Sequence, residues 1–314
     1  MVTLEQVGAF VPATSVSVDE LRAPLGLTPG QALLFTRVLG LDRVASAPGV
    51  DLATMLTRAG EQALRGVDRG DVRYLVHAHT IQHAAPPSGR VLERVRLALG
   101  LRNATALGVC HQNCVIGLYA MQLARYLLLS ARPGEKVLVV AGDKILSRSV
   151  HLIPETTITG EAAAAFLAGD SPRGDRILGS ATRFIGRFYQ CLDCPGELRL
   201  EYKRIYLDAL ADVIRHALAD SGVAAADLAA VLPHNVNQLS WKKVADNLGV
   251  PADRVYLDNV PKLGHCFSAD PFINLTTARA SGRVGPGDLV LLASAGLGAS
   301  FAATVIRLGE GTTR

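Results

Sequence analysis

Apolar and polar positions follow one another along this chain in blocks of two kinds. Short, nearly continuous apolar runs such as 71–79 and 136–141 are bounded by polar or glycine-containing turns and are typical of buried strands. Longer segments with apolar residues at helical spacing, among them 52–64, 115–129 and 207–219, predict helices between the strands. Strands that alternate with helices favour parallel-type sheets covered by helices, so the pattern predicts an α/β fold.

The order of these segments occurs twice in the chain. Four short stretches of the first half resemble four of the second half, in the same order and about 150 residues apart. The matching pairs are 63–64 with 217–218, 99–101 with 248–250, 123–125 with 277–279, and 133–138 with 286–291. This self-similarity indicates an internal duplication. We therefore predict two halves, 1–170 and 171–314, whose polar strand ends face a shared pocket.

A polar cluster, 110–114, lies between an apolar approach and the long apolar helix predicted over 115–129. Its last residue, Cys114, therefore lies at or near a helix N-terminus. Unpaired backbone N–H groups and the positive end of the helix dipole favour a nucleophilic thiolate at such a position. The alternative is that Cys114 is simply a small buried residue, as free cysteines often are.

Two loops of the second half carry side chains that could act on this thiol. His234 follows a predicted buried strand, where catalytic side chains of α/β sheets commonly lie, and the polar run 235–238 comes directly after it. A Cys–His pair activates the thiol by proton transfer, and a third polar group orients the imidazole. In this interpretation Cys114 is the nucleophile and His234 the base, with His265 and Asp270 as candidates for the third role.

Composition narrows the class of protein further. With 49% hydrophobic and 19% charged residues, the 314-residue chain has ample material for a core and no signature of disorder. The net charge of +4 and the dispersed basic residues argue against a dedicated nucleic-acid binder, although an acidic protein partner stays open. No signal peptide or membrane-length apolar run is evident, and five irregularly spaced cysteines do not suggest a disulfide framework. We expect a cytoplasmic protein that binds neither nucleic acid nor membrane.

The remaining cysteine and histidine positions do not predict a metal site. Cys191 and Cys194 form a lone C-x-x-C motif without a second pair nearby, so we interpret it as part of a variable loop. His77, His79 and His83 lack an acidic partner at fixed spacing, and packing or pocket lining explains them better. We therefore expect neither a metal nor a cofactor.

Several motifs together resemble β-ketoacyl-acyl-carrier-protein synthase III-type enzymes of the thiolase superfamily, over essentially the whole chain. The matching segments are Cys114 with Tyr-Ala-Met at 119–121, Pro-His-Asn-Val-Asn at 233–237, Thr-Gly-Glu-Ala-Ala at 159–163, and Ala-Gly-Leu-Gly at 295–298. The resemblance implies a thiolase-like fold, in which two duplicated halves form a layered αβαβα sandwich, and a homodimer. It also implies an oxyanion hole formed by the backbone N–H groups of Cys114 and Leu297, a device that stabilises the transition state of acyl transfer.

The chain departs from the condensing members of this family at one important motif. Their Gly-Asn-Thr motif, whose Asn helps to stabilise an enolate, reads Gly-His-Cys at 264–266. Asp270 instead resembles the Asp of synthase III-like acyltransferases that use a Cys-His-Asp triad. We therefore expect a triad of Cys114, His234 and Asp270, with Asp270 orienting His234 as a general base. His265 remains open, either as pocket lining beside Asn237 and Cys110 or as a donor to an enolate.

These features favour an acyltransferase that moves an acyl group through a thioester on Cys114 to a hydroxyl, an amine or a second carrier protein. The resemblance suggests natural-product biosynthesis of the polyketide or antibiotic type. One alternative is a decarboxylative β-ketoacyl synthase III-type condensing enzyme with His265 in place of the Asn. Another is a catalytically silent partner subunit, although the chain retains both Cys114 and His234.

The segment 33–37 bears on the acyl donor. Relatives that load from acetyl-CoA carry a Trp near the position of Leu33, and leucine cannot stack on adenine in the same way. This favours a donor held on an acyl carrier protein over acyl-CoA. Basic residues that could contact an acidic carrier protein, or could simply be solvated surface, are Arg37, Arg148, Lys242 and Lys243.

Overall fold

The computed structural model of the protein describes residues 2–82, 90–190 and 195–310. Cys191, Cys194 and His83 therefore lie outside the described residues. The strands are β1 (Thr3–Phe10), β2 (Ser15–Ser17), β3 (Arg43–Ala45), β4 (Val72–Ala78), β5 (Thr105–Val109), β6 (Lys136–Gly142), β7 (Leu152–Ile153), β8 (Thr157–Ile158), β9 (Ala163–Gly169), β10 (Asp175–Phe184), β11 (Ala230–Pro233), β12 (Leu289–Gly296) and β13 (Ser300–Arg307).

Helices lie between most of these strands, in agreement with the alternation predicted from the sequence. They are α1 (Arg22–Leu25), α2 (Pro29–Leu33), α3 (Leu52–Ala63), α4 (Val91–Ala98), α5 (Ile116–Leu128), α6 (Arg148–His151), α7 (Gly196–Ser221), α8 (Gln238–Leu248), α9 (Val260–Leu263) and α10 (Asp270–Ala280). None of the helices within the described ranges is long and apolar enough to cross a membrane.

Two half-sheets of the same topology join into one nine-stranded sheet, in the order β11-β12-β13-β10-β1-β9-β6-β4-β5. In the first half β4 runs parallel to β6, β9 pairs antiparallel with β6, and β1 pairs antiparallel with β9. The second half repeats this pattern with β11, β12, β13 and β10. The halves join where β1 pairs with β10, at Thr3 opposite Arg176. The predicted boundary at 170/171 falls in the turn between β9 and β10.

The helices form three layers around the two half-sheets. Helix α3 covers the outer face of β1, β9 and β6, and α7 covers the outer face of β10 and β13. Helices α5 and α10 lie between the half-sheets and contact strands of both. The stacked rings of Phe166 and Phe272, 4.8 Å apart, join β9 to α10 in this central core. The architecture is the expected αβαβα sandwich.

Two predicted helices differ from the observed ones at their N-termini. Helix α7 begins at Gly196, eleven residues before the predicted start at 207, and ends where Gly222 adopts a left-handed conformation with φ 67°. Helix α5 begins only at Ile116, because the preceding residues Asn113–Val115 form a 3-10 turn. This turn carries Cys114.

Candidate active site

Cys114 is held in a strained turn at the start of α5. Two flanking residues, His111 with φ 80° and Asn113 with φ 49°, adopt left-handed conformations that non-glycine residues seldom adopt. The amide of Asn113 donates to the Leu297 carbonyl at 2.5 Å, and the Ser294 hydroxyl donates to the Cys114 carbonyl at 3.0 Å. The second half of the protein therefore fixes the position of the Cys114 thiol, which is only 5% exposed.

In the second half, His265 lies on the segment that connects α9 to α10, and Asp270 is the first residue of α10. His265 Nε2 lies 3.0 Å from Cys114 Sγ, and His265 Nδ1 donates to Asp270 Oδ2 at 2.6 Å. The chain turns back between these two residues because Phe267 adopts φ 54° within a short 3-10 turn. The thiol, the imidazole and the carboxylate therefore form one continuous hydrogen-bonded row.

The Asp270 carboxylate is completely buried but has several donors. Oδ2 also accepts from the Asn235 backbone N–H at 2.6 Å, while Oδ1 accepts from the Cys266 N–H at 2.8 Å and the Asn235 side chain at 3.2 Å. A buried carboxylate is tolerated only with such compensation. These donors also fix the carboxylate in the orientation that meets the His265 ring.

The two histidines of the site differ in charge. Burial alone would lower the pKa of His265, but the negative charges of Cys114 and Asp270 and their hydrogen bonds raise it to about 10. Burial and the positive charge of His265 hold the pKa of His234 well below its usual range. The surroundings of His265 therefore favour the imidazolium, and those of His234 favour the neutral ring.

The expected pairing of Asp270 with His234 is wrong. Both carboxylate oxygens of Asp270 are occupied by groups of residues 235, 265 and 266, and the imidazole among them is His265. The ring of His234 lies 5.7 Å from that of His265 and edge-on to Trp241, while its Nε2 lies 3.3 Å from the Tyr206 hydroxyl. His265 is thus the imidazole that the structure brings into contact with both Cys114 and Asp270.

A cavity of about 270 Å³ opens onto these side chains. Its lining combines aliphatic groups with a few polar ones, including Leu39, Cys114, Ile153, Thr156, Tyr202, Lys203, Tyr206, His234, Val236, Asn237, Lys243, His265 and Leu297. Two of the three residues expected to line the pocket, His265 and Asn237, do so. The third, Cys110 at the end of β5, is not among the described residues of the lining, which corrects that expectation. The strand leads Cys110 to the start of the polar cluster, ahead of the turn that aims Cys114 into the cavity.

Asn237 has a structural role in the wall of this cavity. Its Oδ1 caps α8 by accepting from the Ser240 N–H at 2.8 Å, and its Nδ2 donates to the Thr156 carbonyl at 3.1 Å. Its amide therefore holds the start of α8 against the β7–β8 segment.

The glycine-rich loop after β12 lies directly against the Cys114 turn. A Cβ added at Gly296 would lie 2.9 Å from the Gln112 carbonyl oxygen and 3.0 Å from the Cys114 nitrogen, so only glycine permits this approach. The N–H of Cys114 lies in the first turn, where backbone donors have no partner within the helix. Both segments of the expected oxyanion hole thus border one cavity, and the roles of the Cys114 and Leu297 N–H groups remain a prediction.

The sequence did not single out Tyr206 as a member of the site. It lies on the part of α7 that precedes the predicted helix start at 207. Burial and the charge of Cys114 raise the pKa of Tyr206, so its phenol stays protonated. The spacing of Tyr202 and Tyr206, four residues apart, is a weak signal for two rings on one helix face.

The basic residues predicted to contact a carrier protein have different environments. Lys243 borders the cavity, and Arg37 and Lys242 are exposed. The guanidinium of Arg148 donates to the Leu25 carbonyl at 2.5 Å, which gives it a structural contact. Their role in carrier binding is a prediction that the geometry leaves open.

The histidines on β4 and after it have structural contacts. The rings of His77 and His79 stack at 4.8 Å, and His77 Nε2 lies 3.2 Å from the Gly142 carbonyl oxygen. Burial, together with the neighbouring His79, lowers the pKa of His77 to about 4. Within the described ranges no group of three His, Cys, Asp or Glu side chains is placed to hold a metal ion.

Comparisons with known proteins give the family context. Residues 218–308, which include His234, His265 and Asp270, match the family model described as the C terminal of 3-oxoacyl-[acyl-carrier-protein] synthase III. The β-ketoacyl-[acyl-carrier-protein] synthase III of Rhizorhabdus wittichii is 26% identical over 317 residues, covering 96% of this chain and 97% of that protein. The enzyme of the same name from Rhodobacter capsulatus is 28% identical over 323 residues, with 96% and 97% covered.

Solved structures share the fold over nearly the full length. The 3-oxoacyl-[acyl-carrier-protein] synthase III of Aquifex aeolicus has a TM-score of 0.83 at 20% identity, covering 98% of this chain and 100% of that one. ChlB3, described as an acyltransferase, has a TM-score of 0.86 at 20% identity, with 99% and 98% covered. These structures confirm the thiolase-like α/β fold. Motifs, full-length relatives and fold together show that this chain is similar to the β-ketoacyl-acyl-carrier-protein synthase III proteins over nearly its whole length.

Proposed function

We propose that this protein is an acyltransferase that moves an acyl group from a carrier-protein or CoA thioester, through a thioester on Cys114, to an acceptor. The acceptor is a hydroxyl, an amine or the thiol of a second carrier protein. The observation that carries this proposal is the position of His265, between Cys114 Sγ at 3.0 Å and Asp270 Oδ2 at 2.6 Å. That arrangement is suited to moving a proton to and from a nucleophilic sulfur.

In the first half-reaction, the Cys114 thiolate attacks the carbonyl carbon of the donor thioester. The N–H groups of Cys114 and Leu297 stabilise the resulting oxyanion. When the tetrahedral intermediate collapses, its bond to the carrier sulfur breaks and the carrier thiolate takes the proton from His265 Nε2. The products are the acyl-enzyme, the free carrier thiol and a neutral His265.

In the second half-reaction, the neutral imidazole acts as the base. Asp270 holds His265 with a proton on Nδ1, so the Nε2 lone pair faces the acceptor. Nε2 takes the acceptor's proton while the acceptor atom attacks the acyl carbon, and the bond from carbon to Sγ then breaks. Release of the product restores the thiolate of Cys114 and the imidazolium of His265.

The same arrangement is less suited to decarboxylative condensation. That reaction forms an enolate, which neutral hydrogen-bond donors stabilise. In this site the position of the family's Asn is taken by His265, whose ring is paired with Asp270 and hydrogen-bonded to Cys114. Acyl transfer is therefore the proposed reaction, and decarboxylative condensation is the alternative that the experiment below tests.

A carrier protein is the proposed donor. Leu33 on α2 is 58% exposed and lies near the position where relatives that load from acetyl-CoA carry a Trp, and Lys243 borders the cavity. Arg37 and Lys242 add positive charge on the exposed surface. A role in polyketide-type biosynthesis, a homodimer and a cytoplasmic location remain predictions of the family resemblance.

The test is intact-protein mass spectrometry after incubation with a panel of acyl-carrier-protein and acyl-CoA donors. We expect a mass increase equal to the acyl group in the wild type and in Cys110→Ala, and none in Cys114→Ala. An adduct that persists in Cys114→Ala would show that the nucleophile is wrong. With a malonyl donor, release of CO2 at the rate of product formation would instead support condensation.

A further inference from the structure

Tyr206 provides the side-chain hydrogen-bond partner of the His234 ring within the described ranges. Its hydroxyl lies 3.3 Å from His234 Nε2, whereas buried His234 Nδ1 has no partner of good geometry among the described residues. The Tyr206 ring is itself fixed by tilted or edge-on contacts with Tyr202 at 5.8 Å and Phe301 at 6.0 Å. A rigid phenol therefore faces one nitrogen of the second histidine in the site.

The chemistry of the two groups decides which of them donates. A phenol O–H is a stronger donor than the N–H of a neutral imidazole, and an imidazole nitrogen is a stronger acceptor than a phenol oxygen. Burial raises the pKa of Tyr206, while burial and the charge of His265 lower the pKa of His234. The phenol thus keeps its proton and the imidazole is neutral. The hydroxyl donates to Nε2, and the ring proton of His234 is on Nδ1.

We propose that Tyr206 is a positioning residue that holds His234 with Nε2 as an acceptor and thereby favours acyl transfer over decarboxylation. This inference rests on the proposed acyl transfer and concerns the same cavity. A malonyl thioester loses CO2 when the bond between its α-carbon and its carboxylate breaks and the electron pair forms an enolate. Solvent then protonates the enolate carbon, which leaves an acetyl thioester. An Nε2–H of His234 would stabilise the enolate oxygen, and Tyr206 prevents that tautomer.

Removal of the hydroxyl tests this relationship. In Tyr206→Phe, Nε2 loses its donor, so the tautomer with a proton on Nε2 becomes available to face the cavity. We expect histidine ¹⁵N NMR to show His234 protonated on Nδ1 in the wild type and shifted toward Nε2 protonation in the variant, with His234→Gln used for assignment. Release of CO2 from a malonyl-carrier thioester should rise by about tenfold or more in the variant, since one oxyanion donor is worth at least that.

Tyr126→Phe is the matched control, because it removes the same atom from a side chain that is 70% exposed on α5 and does not line the cavity. Its loss should leave the His234 tautomer as in the wild type. It should also leave CO2 release at the wild-type level.

Two results would overturn the proposal. If Tyr206→Phe leaves the His234 tautomer unchanged, the phenol does not position that ring. If the tautomer changes but CO2 release stays at the wild-type level, the hydrogen bond does not influence the choice of reaction. If the proposed function is wrong, wild-type Cys114 should form no acyl adduct with any donor. The NMR result does not depend on acylation, so the two failures can be told apart.

Discussion

At the scale of single residues, the site depends on two histidines with opposite surroundings. The ring of His265 lies between the thiol of Cys114 and the carboxylate of Asp270, whereas His234 lies between Trp241 and the phenol of Tyr206. Anionic neighbours stabilise the imidazolium of the first, and burial keeps the second neutral. The division of roles between them follows from these contacts.

Asp270→Asn should lower the pKa of His265 from about 10, because the variant removes one of the two negative charges that raise it. A pKa raised above its unfolded value of 6.5 contributes stability that is fully present below pH 6.5 and is lost as the pH rises through about 10. In the variant that loss should occur at lower pH. NMR titration of the His265 ring measures the pKa, and urea unfolding at several pH values measures the stability.

Asp212→Asn is a suitable control, because this carboxylate is 44% exposed and pairs with Arg183 and Arg215 on the surface. Its loss should not move the His265 titration. An unchanged His265 pKa in Asp270→Asn would show that the Asp270 charge does not stabilise the imidazolium of His265.

Asn235→Ala should destabilise the protein and slow acylation of Cys114. The variant removes one side-chain donor to Asp270 and one of the two acceptors of the buried Asn274 amide, which keeps only the Pro233 carbonyl. Loss of buried hydrogen bonds of this kind costs about 1–3 kcal/mol of unfolding free energy. Urea unfolding and the rate of acyl-enzyme formation are the measurements. Asn247→Ala on the exposed face of α8 should change stability by only about 0.5 kcal/mol.

At the scale of elements, the site forms where the N-terminal turns of α5 and α10 meet. Gly117 in the first turn of α5 lies against Ser268 in the 3-10 turn before α10, and a Cβ there would come within 2.5 Å of the Ser268 carbonyl oxygen. Because Gly117 lacks a side chain, the two turns approach closely enough for Cys114 and His265 to make contact.

Gly117→Ala should therefore reduce the acylation of Cys114, although alanine is the better helix former by about 1 kcal/mol. The added methyl must push the α5 turn away from Ser268 and lengthen the distance from Sγ to His265 Nε2. The rate of acyl-enzyme formation with one donor is the measurement. Gly285→Ala, where a Cβ meets nothing within 4 Å, should acylate at the wild-type rate. Equal rates in the two variants would show that the close approach is unimportant.

At the scale of the whole molecule, the two halves share both a core and the hydrogen-bonded row of Cys114, His265 and Asp270. Met121 on α5, Phe166 on β9 and Leu292 on β12 belong to one buried cluster. Cys114 comes from the first half, while His265 and Asp270 come from the second. Neither half alone therefore carries the thiol, the imidazole and the carboxylate together.

This shared core predicts cooperative unfolding of the halves. Trp241, the single Trp of the chain, is buried in the second half and donates to the His234 carbonyl at 2.8 Å. Its fluorescence should change at the same urea concentration as the far-UV circular dichroism and the alkylation of Cys114. A Trp241 transition at lower urea than the other two would show that the second half unfolds separately.

The sequence by itself predicts the secondary structure, the two halves and the nucleophile candidate. The spacing of apolar positions predicts the strands and helices, and the repeat predicts two halves, because both periodicities are local properties of the chain. The position of Cys114 before an apolar helix identifies the nucleophile candidate for the same reason. The sequence also indicates a departure at Asp270, because this residue follows a motif that lacks the Asn of the condensing enzymes.

Only the tertiary structure shows which histidine is hydrogen-bonded to Asp270. His234 and His265 are both loop histidines of the second half, and sequence spacing does not give the directions of their rings. Asp270 reaches His265 because Phe267 reverses the chain and Asn235 and Cys266 hold the carboxylate in place. Tyr206 enters the site from a helix whose first turns the sequence pattern missed. The sequence therefore determined the α/β class, because that class follows from local patterning. Only the tertiary structure decided that His265 contacts Cys114 and Asp270, because side-chain directions depend on contacts between residues distant in sequence.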